Sequence, residues 1–224
     1  MNRIAEFLPI LTTLLAAVFT REMFQHYRRR KTKYFLWWTI GIITFGLGTL
    51  SESINILFGW SEFNLRFWYI TGALLGGFTL AQGTVYLLMP ERFGDWTTVI
   101  WIIFVCVAAT CVILTPLTIP EDFNGKLSGE VFEWQWVRLF SPFINTYAFV
   151  FSFGGAVYSA NKYFQQIDKE ARFIGNIYIS AGTLLPGIGG FYTKIGYVEV
   201  LFVTELIGLF LIYRGYRIIK FNRE

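Results

Sequence analysis

Seven long apolar stretches fill most of this chain, at about 4–27, 34–58, 67–89, 97–117, 139–160, 173–190 and 200–213. A spanning helix needs about 20 apolar residues, because a rise of ~1.5 Å per residue must cover a hydrocarbon layer ~30 Å thick. The first five stretches reach that length and the last two are shorter. Only 15% of the residues are charged, against 54% hydrophobic and 20% aromatic, so the chain carries too little polar surface to coat a water-soluble globule. The expectation is an all-α fold: a single domain over 1–224, built as a polytopic seven-transmembrane helix bundle and lodged multi-pass in a cell membrane.

The distribution of basic residues gives the orientation. Arg21, Arg28, Arg29, Arg30, Lys31, Lys33, Arg92, Lys162, Lys169, Arg172, Arg214, Arg217, Lys220 and Arg223 fall on one side, which is 14 of the 19. Arg3, Arg66, Lys126, Arg138 and Lys194 fall on the other, mixed with Glu62, Glu121, Asp122, Glu130 and Glu133. By the positive-inside rule the amino terminus lies outside and the carboxyl terminus in the cytoplasm. The net charge of +4 belongs to this cytoplasmic collar, and its expected partner is the anionic headgroups of the bilayer, with no nucleic acid. The first stretch lacks a basic segment before it and a small-residue cleavage site after it, so it reads as a retained span rather than a signal peptide.

Missing residues remove most enzyme chemistries. With His26 as the single histidine, a bis-histidine haem, a three-histidine zinc site and a His-Glu-x-x-His helix are all impossible. The stretch 200–213 holds no lysine to carry a retinal Schiff base. Cys106 and Cys111 lie five residues apart on one helix, point in different directions, and read as apolar filler. No catalytic residue, metal ligand or cofactor is expected, and the balance leans away from an enzyme.

Between the stretches the connections are short except for 118–137, a loop with Pro120, Gly125 and Gly129 that suits a lid or a small ordered cap. Trp134 and Trp136 in that loop, like Trp60 and Trp68, are placed in the outer aromatic belt. Gly72 and Gly76, and Gly155 and Ser159, form small-xxx-small patterns suited to packing within the bundle. Pro186 among Gly182, Gly187, Gly189 and Gly190 predicts a bent or broken outer half of the sixth helix. Pro9 and Thr13 match Pro142 and Thr146, Gly48-Thr49-Leu50 matches Gly182-Thr183-Leu184, and Thr71 matches Thr204, all offset by 133 or 134. Two parallel three-helix repeats joined by the fourth span would leave that trace.

Acidic groups inside spans demand a reason, since each costs a few kcal/mol at the bilayer centre. Glu52 lies roughly 27 Å along the second helix, near the outer edge of the hydrocarbon, and Glu205 about 9 Å inward from Glu199 on the seventh. Asn145, Tyr147, Thr183 and Tyr192 are set at comparable outer depths. With Glu52 and Glu205 they are the candidate ligand-binding residues of an outward-facing polar pocket. Gln82, alone in the inner third of span three, reads as a hydrogen-bonding tie between helices.

Leu47-Gly48-x-x-x-Glu52, followed by Phe67-Trp68 and preceded by the basic cluster, resembles the amino-terminal seven-helix sensor region of bacterial histidine kinases. The run from Tyr69 to Gly76, the run from Gly83 to Pro90 and the run from Gly154 to Ala160 are also similar to stand-alone prokaryotic seven-helix proteins of unassigned function. The resemblance implies a ligand- or lipid-sensing module in a prokaryotic plasma membrane. Eleven residues follow Tyr213, so the expectation is that a signal leaves through a signalling protein partner. The alternative is a small-solute transporter of the three-plus-one-plus-three type. Such sugar carriers have prolines toward the cytoplasmic helix ends, whereas Pro9 and Pro142 here lie near the outer ends.

Overall fold

A computed structural model describes residues 7–121, 123, 125–164, 166, 169–193 and 197–222. Arg3, Asp122, Lys194 and Arg223, which entered the charge reading, lie outside the described residues, as does the start of the first apolar stretch. The described chain is all-helical, with seven long helices. They are α1 (Leu8–Arg30), α2 (Lys33–Phe58), α3 (Glu62–Leu88), α4 (Glu91–Leu114), α5 (140–163), α6 (Glu170–Thr193) and α7 (Val198–Phe221). Of these, α2, α3 and α4 are long and apolar enough to cross a membrane.

The helix ends follow local chemistry. Pro9 sits in the first turn of α1, where its missing N–H would be unpaired anyway, and Arg28, Arg29 and Arg30 occupy the last turn, where cations suit the helix dipole. Lys31 then takes a left-handed conformation (φ 51°) and stops the helix. Ser61 begins α3 by accepting a hydrogen bond from the Asn64 N–H at 3.3 Å. Arg66 closes α4, donating to the carbonyls of Val112, of Ile113 at 3.0 Å and of Thr115 at 2.9 Å while Glu62 pairs with its guanidinium. Both α3 and α5 widen to π-helical turns, at Tyr69–Gly76 and Phe149–Phe153.

Six helices close a ring in the order α1, α2, α3, α5, α6, α7, with α7 returning to α1 and α4 packed outside on α3. Small residues set the close approaches. A Cβ on Gly48 would stand 3.1 Å from the Gly72 Cα, so α2 and α3 touch backbone to backbone. The α6–α7 contact is closer still: a Cβ on Gly208 would meet the Gly182 carbonyl at 2.7 Å, and one on Gly215 would meet the Gly175 carbonyl at 2.4 Å. Gly175, Gly182 and Gly189 recur every seven residues on α6 and face Gly215, Gly208 and Leu201, which recur every seven on α7. Such spacing brings two antiparallel helices to within backbone contact along one seam.

Two expectations change here. Of the bend or break expected in the sixth helix the break is absent: Glu170–Thr193 runs on through Pro186. Proline frees the carbonyl four residues before it, which is that of Gly182, and this oxygen rests against the Gly208 backbone. The neighbouring helix therefore covers the group that a lone helix would have left exposed. Second, α6 and α7 are 24 residues each, longer than the apolar stretches 173–190 and 200–213. Arg214, Arg217 and Lys220 continue α7 as helix, and hydropathy marks the apolar part of a helix, not its length.

The described residues of loop 118–137 form a packed cap. Leu117 and Phe132 pair in an isolated bridge, the Thr118 N–H donates to the Val131 carbonyl at 2.9 Å, and Leu127, Val131, Phe132 and Val137 are buried. Trp134 and Trp136 stack on its outer surface at 6.0 Å.

Candidate functional site

The end of the bundle away from the basic connection between α1 and α2 holds a cavity of about 310 Å³. The C-terminal turns of α2 contribute Glu52, Asn55 and Ile56, and Gly59 and Trp60 follow them. Trp68 enters from α3, Gly125, Lys126 and Leu127 from the cap, and Val198, Glu199 and Phe202 from the first turns of α7. Glu52 and Asn55 are three residues apart on one helix and so share a face.

Glu52 is 3% exposed. Its Oε1 accepts a hydrogen bond from the Trp68 indole N–H at 3.0 Å, and its Oε2 is buried without a partner. Glu205, one turn further along α7 than Phe202, lies within hydrogen-bonding reach of Glu52. Its Oε2 is also buried without a partner. Ionised carboxylates are acceptors only, so such a pair bonds only through a proton or a cation held between its members. Two further buried polar atoms on cavity-lining residues have no partner, Asn55 Oδ1 and Trp60 Nε1. The Asn55 amide nitrogen donates to the Gly125 carbonyl at 3.0 Å, which fixes which way the oxygen faces. At the mouth Lys126 and Glu199 form an ion pair at 3.4 Å.

The six sequence-picked residues divide. Glu52 and Glu205 come together. Tyr147 is buried elsewhere, donating its hydroxyl to Gln82 Oε1 at 2.7 Å. Asn145 is exposed on α5 and donates to the Ser141 hydroxyl at 3.2 Å. Thr183 donates to the Ser180 carbonyl of its own helix at 3.0 Å, and Tyr192 is exposed beside Phe191. None of these four lines the cavity: Tyr147 sits at the level of Gln82 with Asn145 two residues before it, Tyr192 turns outward, and Thr183 folds back on its own helix. Trp60 and Trp68, placed by sequence in the lipid-facing belt, instead form cavity wall: both are half-buried, and Trp60 packs edge-on to Phe123 at 5.3 Å. Asn55, Lys126 and Glu199 were also missed; the Glu52–Asn55 spacing was the available signal for the first.

Gln82 belongs to a separate polar cluster nearer the other end. Its amide nitrogen donates to the Gly94 carbonyl at 2.8 Å and to the Thr98 and Thr97 hydroxyls at 2.8 and 3.1 Å. Tyr86 adds bonds to Asp95 at 2.8 Å and Thr98 at 3.0 Å, and Lys33 reaches Asp95 at 2.7 Å. These groups tie α2, α3, α4 and α5 together. His26, at the end of α1 away from the cavity, stacks on Phe35 at 4.2 Å and shares a 2.9 Å hydrogen bond with the Tyr216 hydroxyl.

Among the described residues no group of three or more His, Cys, Asp and Glu side chains could hold a metal ion. No protein-family model, curated protein or solved structure matches the chain.

Proposed function

We propose that this chain is a seven-span integral protein of the cell membrane, amino terminus outside, whose outer cavity binds a small molecule or lipid and reports the bound state to a signalling partner. The observation that carries this reading is the cavity itself, in whose wall three lining residues, Glu52, Asn55 and Trp60, each hold a buried polar atom without a partner. Buried polar groups in native proteins are nearly all hydrogen-bonded, so a cluster of exceptions around a cavity points to a ligand that completes them.

Seven spans are supported by exposed apolar rows on the four helices of lower hydropathy. Leu11, Leu14 and Val18 form one on α1, Phe143, Val150 and Val157 on α5, Ile188 and Phe191 on α6, and Val203, Ile207 and Phe210 on α7. These helices turn oily faces outward while Thr12, Ser180 and Thr204 are buried, the reverse of a water-soluble helix. The basic residues of the α1–α2 connection and of α7 then meet anionic headgroups on the cytoplasmic side.

One observation favours a second reading, a small-solute carrier with two parallel three-helix repeats. Exchanging α1, α2 and α3 with α5, α6 and α7 preserves every neighbour in the ring: α3 meets α5 as α7 meets α1. A carrier also needs a wet inner path, and the inner half is occupied by aromatic and aliphatic packing around Phe19, Met23, Phe35 and Tyr216. The sensor reading needs only different ligand affinities in two bundle conformations.

Uptake into proteoliposomes tests the choice. The sensor reading expects no saturable entry of small sugars or amino acids, and saturable uptake abolished by Glu205→Gln would establish the carrier. Orientation is checked in the same vesicles after Cys106 and Cys111 are replaced by alanine. A cysteine at Glu130 should react with an impermeant thiol reagent from outside, and one at Gln166 only after the membrane is opened.

A further inference from the structure

The polar atoms around the cavity are unbalanced in kind. Three lining residues each hold a buried polar atom without a partner, two of them acceptors, Glu52 Oε2 and Asn55 Oδ1, and one a donor, Trp60 Nε1, and a third acceptor, Glu205 Oε2, stands behind Glu52. Glu52 is more than nine-tenths buried and lines the space directly. Among the described lining residues the one basic side chain, Lys126, is paired with Glu199 at the mouth. Around them stand Ile56, Trp68 and Phe202, apolar and aromatic wall.

We propose that the cavity takes a small organic cation, a protonated amine on an apolar body, with its ammonium group against Glu52 and Asn55, Glu205 behind, and its body against Ile56, Trp68 and Phe202. The proposal rests on the reading of the cavity as a ligand site and names the chemistry of that ligand. An ammonium group brings donors and no acceptor, which is what an acceptor-rich cluster needs. Its hydrogen bonds to a carboxylate are charge-assisted and about twice as strong as neutral ones. The aromatic rings add cation–π attraction. A volume of about 310 Å³ sits at the low end of small-molecule sites, which suits a compact ligand rather than an acyl chain.

The same atoms argue against a bare metal ion and against an anion. Calcium takes six to eight oxygen ligands, whereas the lining offers two unpartnered oxygens beside an indole N–H that cannot ligate. An anion would face Glu52 with Glu205 at its back. A neutral polyol brings one acceptor with each donor and would leave the acceptor surplus unmet.

The test compares three molecules of nearly one shape on the full chain in nanodiscs: phenethylammonium, phenethyl alcohol and 3-phenylpropionate, with calcium and magnesium chloride as further probes. Binding is read by titration calorimetry and by the shift in Tm. Phenethylammonium is expected to saturate and to bind roughly tenfold or more tighter than the alcohol, about the worth of one charge-assisted hydrogen bond. Glu52→Gln and Glu205→Gln should each remove most of that preference. Since the comparison of shapes uses the unaltered chain, it stands even where a variant fails to fold. Equal binding of alcohol and ammonium, tighter binding of the carboxylate, saturation by calcium or magnesium alone, or no binding by phenethylammonium would each overturn the cationic ligand. The cavity's role in binding has its own control: a neutral or anionic probe that saturates and is weakened by Phe202→Ala leaves the ligand site standing while the charge class falls.

Discussion

Two clusters of polar side chains are buried in this bundle to nearly the same degree, and they differ in how well they are satisfied. Gln82 is 0% exposed and Glu52 is 3% exposed. Around Gln82 the oxygen accepts from Tyr147 and the two N–H groups of the nitrogen have three acceptors within reach, so neither amide atom is left without a partner. Around Glu52 one oxygen is bonded to Trp68, and four atoms nearby are left without partners. Burial alone therefore does not separate a structural polar group from a functional one. The accounting of hydrogen bonds does: a completed network fixes helices, and an incomplete one beside a cavity costs stability and persists where something else completes it.

That contrast can be broken by moving the helix that carries Glu205. Gly208→Ala places a Cβ 2.7 Å from the Gly182 carbonyl, a backbone atom that cannot swing aside. Overpacking of this kind should lower stability by about 3 kcal/mol and push α7 outward, parting the two carboxyls while leaving the Gln82 cluster intact. Chemical denaturation in mixed micelles would measure it, with Gly187→Ala as control because nothing lies within 4 Å of a Cβ there. A stable Gly208→Ala protein would mean that the α6–α7 seam is looser than drawn.

A smaller effect sharpens the comparison. Gln82→Leu should cost about 2 kcal/mol, since it strips partners from the Tyr147 hydroxyl, the Gly94 carbonyl and Thr98 in a dry interior. Glu52→Gln should change stability of the empty protein by less than about 1 kcal/mol and in the stabilising direction, because it removes a buried carboxylate that faces another. A large loss in Glu52→Gln would class that cluster as structural, like the first.

The apolar pattern carried the helices well. Seven stretches became seven helices, and Glu52 and Glu205 stood out because acidic groups inside apolar runs have no cheap explanation. The helix pair at Pro186 was not legible, since it depends on Gly208 lying opposite Gly182, a tertiary fact that no local rule contains. Residue counts along a helix did not say which neighbour a side chain meets. Hence Thr183 bonds its own helix, Tyr192 is exposed, Tyr147 went to Gln82, and Asn145, two residues from Tyr147, bonds Ser141. Trp60 and Trp68 misled for a related reason: tryptophan suits the membrane interface and the wall of a polar cavity equally, because both present an apolar side and a wet one. The contributions of Lys126 and Glu199 needed the cap and the start of α7 to meet, across 73 residues of chain.

The most direct test of the contrast is an experimental structure of the protein in nanodiscs, at a resolution that shows ordered solvent and ligands. The account predicts non-protein density between α2 and α7 within hydrogen-bonding distance of Glu52 Oε2, Asn55 Oδ1 and Trp60 Nε1, with no such density at Gln82. Glu52 turned out to the headgroups with no cavity between α2 and α7, or ordered water alone satisfying all four atoms, would contradict it.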